Sequence, residues 1–368
     1  MTTDIAQNIA DDGADAAETA ETTETAETTE TVTAIGAIDI ESMVASPSPT
    51  QLAPIPTPVE QTKFFPHTDE FPEGCQVISD LDQDDFGYPV NIEQVTYVTR
   101  QLADGSSVDL PMWVFTPGVD NMPEGAMPGG GWPVIVFVRG SAFHEQNVTD
   151  YSNYFVRIAE QGYVVAALKY RHSDIAPFPV QMQDCKTAVR FMRKNAERFH
   201  CNKDRIALWG DSSGGHTVLM AGFTGNRAPD TDAYAEESAE VNAIVDWHGP
   251  TDFAKMNFYP SSQNHSDPQC PEGVVIGGGD VLEHPDLSAQ ASPMTYLSAD
   301  MPTPSTLIMH GGRDQLVPFN QSCRLYATLK ALGKDVTFYK LDNACHACYG
   351  FRSARALRLV FDWLSDRL

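Results

Sequence analysis

Positive charge is scarce in this sequence: 24 Lys and Arg stand against 50 Asp and Glu, for a formal net charge of −26. The first 60 residues hold no Lys or Arg and twelve acidic residues, so they carry −12 of that total and the rest of the chain −14. An acidic surface repels phosphate backbones and anionic bilayers, which argues against nucleic-acid partners and against electrostatic docking to membranes. Long apolar runs are lacking too; none approaches the ~20 residues that a membrane-spanning helix needs. The opening residues have neither a basic region nor an apolar core, so no secretory signal is read there. Cysteine is sparse and odd in number, seven in 368 residues. That suits reduced thiols better than a disulfide framework, and the expected location is cytoplasmic. Composition is compatible with a homo-oligomer but does not require one.

Aromatic residues and structural periodicity are absent from the start of the chain. Residues 17–31 are an Ala, Glu and Thr repeat and residues 46–58 are rich in proline. Neither stretch can bury enough apolar surface to offset the entropy of ordering, so 1–63 reads as a disordered acidic tail and linker, with a short helix around 35–44. The globular domain is expected over 64–368.

Within that domain, alternating apolar and polar residues at 90–102 and 107–116 flank Ala103-Asp104-Gly105-Ser106, the pattern of a β-hairpin. Short Val-, Ile- and Leu-rich runs follow at 133–138, 163–169, 205–209, 243–247, 305–309 and 336–341. They are apolar on both faces, as strands covered by helices on each side must be. Helical stretches are read at 181–199, 214–221, 320–332 and 354–368. An opening hairpin followed by βα units predicts an α/β fold, a mostly parallel central sheet with an antiparallel edge.

One strand runs directly into Gly210-Asp211-Ser212-Ser213-Gly214 and then into a helix. This is Gly-x-Ser-x-Gly in the strand–turn–helix setting that lifts a serine hydroxyl above a sheet edge. Ser212 is therefore the candidate nucleophile; Ser213 is a rival hydroxyl but is not centred between the glycines. A serine needs a base, and the base an orienting carboxylate, supplied in this fold in the order Ser, Asp or Glu, His. The strand at 305–309 leads to a glycine loop presenting Asp314, and the last strand leads to His346. Both sit past the carboxyl ends of parallel strands, where ligands bind in open α/β sheets. Asp314 is preferred over Asp184, Asp211, Asp246 and Asp342. His310 is expected to pack or to hold its loop. The N–H of Ser213 should contribute to an oxyanion hole, completed by the loop after the strand at 133–138.

That loop reads Arg139-Gly140-Ser141-Ala142-Phe143. Together with 163–171 and 204–216 it resembles the esterase/lipase branch of the α/β-hydrolase superfamily, with its His-Gly-Gly-Gly-aromatic loop, and in particular bacterial acetyl and feruloyl (hydroxycinnamoyl) carboxylesterases. The resemblance spans about 90–368. It implies an α/β-hydrolase fold, hydrolysis of a small ester through an acyl-enzyme, no cofactor and no metal, and oxyanion N–H groups from Ser141 and Ala142. Arg139 stands where the family has histidine, and Ser141 and Ala142 where it has glycine, which restricts the backbone.

Phe143, His144, Trp209, Trp247, Tyr349 and Phe351 lie near predicted strand ends and are candidates for the substrate pocket, although aromatic residues there also serve as plain core. The polar segment 258–277 is too long for a minimal connection and is a candidate cap. Cys345 and Cys348 bracket His346; no second pair at such spacing exists to complete a zinc site, and oxidation of the pair is expected to disturb the histidine. Two other functions share parts of this pattern. A prolyl-peptidase-like serine peptidase shares this catalytic domain but ordinarily carries a long propeller before it. A non-catalytic binding protein on a hydrolase scaffold typically lacks a triad residue.

Overall fold

Strands that are apolar on both faces can only be satisfied between two layers of helices, and that is how the chain folds. The structure, a computed structural model, describes residues 87–118, 127–231 and 233–368. The tail assigned to 1–63, the helix expected at 35–44 and the start of the globular domain at 64 lie outside the described residues.

The hairpin forms from β1 (Val90–Gln101) and β2 (Ser107–Pro117). Then come β3 (Trp132–Val138), α1 (Ser152–Ala159), β4 (Val164–Leu168), α2 (Val180–Lys194), β5 (Cys201–Asp211) and α3 (Ser213–Thr224). β6 (Ala243–Trp247), two short helices α4 (Pro271–Val275) and α5 (Pro285–Gln290), β7 (Ser305–Gly311), α6 (Asn320–Ala331), β8 (Val336–Leu341) and α7 (Ala354–Ser365) complete it. The strands form one eight-stranded sheet in the order β1-β2-β4-β3-β5-β6-β7-β8. β1, β2 and β4 pair antiparallel, and every later pairing is parallel. This is the α/β-hydrolase architecture.

Strand alternation divides the core in two. Val134, Val136, Val138, Leu208, Ile244 and Ile308 face the layer of α2, α3 and α6. Ile135, Phe137, Trp209, Val245, Leu307 and Met309 face α1 and α7. Each such fully buried side chain contributes roughly 1.5–3 kcal/mol of transfer free energy. α1 was not anticipated; it supplies the crossover between parallel β3 and β4 and buries Tyr154, Phe155, Ile158 and Ala159 along one stripe. The helix expected over 181–199 stops at Lys194, where Asn195 turns its side-chain amide onto the carbonyl of Phe191 at 2.8 Å. Among the described residues, no helix is long and apolar enough to cross a membrane.

Candidate active site

The turn between β5 and α3 is forced by contact distances. A Cβ on Gly210 would lie 2.3 Å from the carbonyl oxygen of Gly214, and one on Gly214 would lie 2.0 Å from that of Val138. With side chains removed at those positions, Ser212 is held at φ 55° and ψ −125°, a conformation that costs a non-glycine residue about 1–3 kcal/mol. Its N–H donates to the carbonyl of Trp247 at 2.8 Å, and its carbonyl accepts from His216 at 3.0 Å. The strain is thus locked by two neighbouring elements. α3 begins at the next residue, so its N-terminal partial charge lies beside the hydroxyl.

Ser212, Asp314 and His346 come together although 134 and 32 residues separate the hydrogen-bonded partners. Ser212 Oγ lies 2.9 Å from His346 Nε2, and His346 Nδ1 lies 2.8 Å from Asp314 Oδ2. Asp314 Oδ1 accepts the backbone N–H groups of Leu316 and Val317 at 2.9 and 3.0 Å. His310 approaches the same Oδ2 from the other side, its Nε2 at 3.1 Å. Burial by itself would raise the pKa of Asp314, but hydrogen bonds from His310 and His346 and their charge outweigh it, and the carboxyl stays well below the usual carboxylate range. His310 is further fixed by Ser322 Oγ, 2.7 Å from its Nδ1.

The oxyanion loop differs in detail from the expected one. The N–H of Gly140 donates to Asp211 Oδ1 and that of Ser141 to Ser213 Oγ, both at 2.9 Å. Ser141 therefore has its N–H engaged by a protein oxygen and does not offer it to a ligand. Among the described residues, the N–H groups of Ala142 and Ser213 have no acceptor. Ala142 and Phe143 adopt φ 53° and 64°, the left-handed region for which glycine is best suited. Arg139, standing in the histidine position, lays its guanidinium over the ring of Tyr151 at 4.6 Å. Asp211 joins this loop to the elbow, and burial, opposed by the Gly140 N–H, raises its pKa.

A cavity of about 250 Å³ opens above Ser212 and His346, with Ala142 and Phe143 on one wall. The segment 258–277 supplies another wall through Gln263, His265, Pro271 and Glu272. His265 Nδ1 meets Glu272 Oε2 at 2.9 Å with both side chains buried, and its Nε2 lies 3.1 Å from the carbonyl of Leu316. Burial disfavours the His265 cation, yet the Glu272 carboxylate more than compensates and its pKa is raised. The pair ties the segment to the Asp314 loop. No local sequence pattern marks either residue, since nothing in the chain links a histidine in a polar insertion to a carbonyl 51 residues away.

The other expected pocket residues are elsewhere. Trp209 is fully buried on the α1/α7 face, against Phe137, Tyr154 and Trp247, because its place in β5 turns it away from the strand's end. Trp247 belongs to the same cluster. His144 is exposed and pairs with Asp174 at 2.9 Å. Phe351 is buried behind His248, 4.6 Å between ring centres. The backbone of Tyr349 opens a short 3₁₀ turn; its side chain lies outside the described residues.

His248, Asp314 and His346 hold donor atoms within 4.8 Å of one another, a spacing a metal ion could use. The Asp314 oxygen and both nitrogens of His346 are already engaged by hydrogen bonds to each other and to Ser212.

A family model described as BD-FAE matches residues 123–329, a span that includes Ser212 and Asp314 and ends before His346. The chain is 29% identical over 229 residues to "Esterase LipC" of Mycobacterium tuberculosis, covering 60% of this chain and 54% of that protein. It is 28% identical over 234 residues to "Probable carboxylic ester hydrolase LipM" of the same organism, covering 62% and 52%. The chain thus spans about half the length of these curated relatives. Among solved structures, a "truncated form of carbohydrate esterase from gut microbiota" superposes with a TM-score of 0.63 at 26% identity, covering 77% of this chain and 97% of that one.

Proposed function

The chain belongs to the BD-FAE family, and on that premise we propose that it is a serine carboxylesterase acting on short acyl esters. The observation that carries this reading is the unbroken line Asp314–His346–Ser212, with hydrogen bonds of 2.8 and 2.9 Å. In the proposed reaction His346 Nε2 takes the Ser212 proton as Oγ attacks the ester carbonyl. Asp314 fixes the His346 tautomer and stabilises the imidazolium. The N–H groups of Ala142 and Ser213 receive the developing oxyanion. His346 returns the proton to the departing alcohol, and a water activated by the same nitrogen releases the acid.

Two features support a short acyl group on a polyhydroxylated alcohol. The cavity, about 250 Å³, lies below the ~300 Å³ at which pockets for drug-sized ligands begin, which suits a small ester. One wall is polar, with Gln263, His265 and Glu272, and the carbohydrate esterase noted above shares the fold over 77% of this chain.

The test compares wild type with Ser212→Ala on p-nitrophenyl acetate, p-nitrophenyl octanoate, methyl ferulate and an aminoacyl nitroanilide. Acetate turnover should dominate and fall at least ~10,000-fold in the variant. Preference for ferulate would replace the short-acyl assignment, and preference for the anilide would move the protein to the peptidases. An unchanged Ser212→Ala variant would leave the binding-protein reading ahead.

A further inference from the structure

Two half-buried thiols flank the histidine that the proposed reaction depends on. The N–H of Cys345 donates to Cys348 Sγ at 3.2 Å, and the neighbouring Cys348 thiol raises the pKa of the Cys345 thiol. Only His346 and Ala347 lie between them, and Ala347 is already in the left-handed region at φ 51°. Both cysteines also border a second cavity, about 790 Å³, on the side of the loop away from Ser212. Met309, Leu341 and Leu359 give it apolar walls, and Lys340 and Arg355 stand at its edge. Lys340 is paired with Asp342 at 2.7 Å, whereas Arg355 is exposed and has no ion-pair partner among the described residues. Of the other described cysteines, Cys185, Cys201 and Cys270 are buried in the core, where burial pushes the thiols of Cys201 and Cys270 up to about 12, and Cys323 is half-buried but has no second cysteine beside it in sequence.

We propose that Cys345 and Cys348 form a thiol–disulfide exchange site, reached through this cavity by a small anionic disulfide of the glutathione disulfide class, whose oxidation displaces His346 and suppresses turnover. In the first step one cysteine thiolate attacks a sulfur of the oxidant, forming a mixed disulfide and expelling one thiolate. The second cysteine thiolate then attacks the protein sulfur of that mixed disulfide and expels the other. Two electrons pass from the dithiol to the oxidant, and the two cysteine protons end on the two released thiols. A covalent sulfur–sulfur bond is much shorter than a contact between thiols. With Ala347 already strained, the required movement falls on His346. Misplacing a catalytic group by ~1 Å can cost about a hundredfold in rate, so a smaller displacement should still be evident.

The effect on turnover rests on the esterase reading; formation of the disulfide does not. The full chain is incubated with glutathione disulfide, then with dithiothreitol. Peptide mapping locates disulfides, p-nitrophenyl acetate reports activity, and the low-field proton resonance of His346 Nδ1–H reports the bond to Asp314. We expect a Cys345–Cys348 disulfide, a loss of turnover of about tenfold or more that dithiothreitol reverses, and a shifted proton resonance. The Cys345→Ser/Cys348→Ser variant should keep its activity under oxidation; if it fails to fold, Cys348→Ala serves as the control unable to close the bridge. A mapped disulfide with unchanged turnover and resonance would overturn the coupling, and failure of the pair to oxidise would overturn the site. An inactive reduced wild type would count against the esterase reading alone, because mapping and the proton resonance still decide this one. Glutathione disulfide should react at least about threefold faster than neutral hydroxyethyl disulfide, an advantage lost in Arg355→Ala; equal rates would overturn the preference for an anionic oxidant.

Discussion

The imidazole of His248 lies 4.4 Å from that of His346, tilted by 60°, and neither of its nitrogens has a hydrogen-bond partner among the described residues. The residue follows β6 directly and is fully buried. It adopts φ 46°, and its N–H donates to the carbonyl of Met309 at 3.0 Å. Burial, followed by the positive charge that His346 and His310 can carry, lowers its pKa well below the usual range. His248 is therefore a neutral ring that braces the proposed base, itself backed by Phe351. His248→Ala should lower kcat about tenfold with KM little changed, because a brace acts on position and not on substrate affinity. It should also cost about 2–4 kcal/mol through the void left behind. Steady-state kinetics and urea unfolding check both; an unchanged kcat would remove the bracing role.

Asp314 Oδ2 sits between two imidazoles, 2.8 Å from His346 Nδ1 and 3.1 Å from His310 Nε2. Asp314→Asn keeps the shape but can present an N–H to His346 and select the wrong tautomer. The expected fall in kcat is about ten-thousand-fold. His310→Phe leaves the carboxylate with His346 and two backbone N–H groups while removing a donor that offsets its burial. A smaller loss, about tenfold, is expected there. If His310→Phe proved as damaging as Asp314→Asn, His310 would have to be a partner in proton transfer and not a support.

Much of this site was legible because its logic is local. Gly210 and Gly214 flank Ser212 in the strand–turn–helix setting, and Asp314 and His346 each follow a strand of a parallel sheet, so topology alone carries them to one edge. What could not be read depends on parity or on distant contact. Trp209 is three residues from Ser212, yet strand alternation points it into the α1/α7 face with Phe137, whereas Leu208 faces the opposite layer. The N–H of Ser141 was expected to be free; whether Ser213 Oγ would take it depended on side-chain geometry across 72 residues. His265 and Glu272 share no helical or strand period with the elements they touch. Their part in the cavity wall emerges only once the insertion is folded back on Leu316.

Buried titratable groups on either side of neutrality should give this protein a stability maximum near pH 6.5. Burial lowers His216 to about 4, against about 6.5 when unfolded. Between those values the unfolded chain holds the extra proton, so stability rises with pH; His248 acts in the same sense. Asp246 is opposite. Burial, only partly opposed by the Gly249 N–H, raises it to about 8, against about 3.9 when unfolded. The folded state then holds the extra proton, and stability falls as pH rises between those limits. Above pH ~6.5 the two histidines are neutral in both states, and Asp246 gives a declining limb of about 1.4 kcal/mol per pH unit that flattens near 8. Asp246→Asn mimics the protonated acid and should remove its share of that limb, leaving only the part from His265, whose raised pKa also makes the folded state hold an extra proton above pH ~6.5. Urea unfolding at pH 6.5 and 8 measures it, and equal declines in variant and wild type would show that Asp246 is not its source.

The backbone of the oxyanion loop allows a test in which substitution improves the protein. Ala142 is held at φ 53° beside Phe143 at 64°, two non-glycine residues in a region that penalises a Cβ. Ala142→Gly removes that penalty at one of them but adds freedom to the unfolded chain. The net change should lie between zero and a gain of about 1 kcal/mol. The N–H at that position is retained, so ester turnover should stay within about threefold of wild type if a backbone group and not a side chain meets the oxyanion. Gly214→Ala makes the contrast, since its Cβ would lie 2.0 Å from the Val138 carbonyl oxygen with no flexible atom to yield. A loss above about 3 kcal/mol, or failure to fold, is expected there. Thermal unfolding of both variants, with p-nitrophenyl acetate turnover for the first, decides the matter. A folded Ala142→Gly protein that had lost turnover would mean that the alanine methyl, and not the peptide N–H alone, shapes the site.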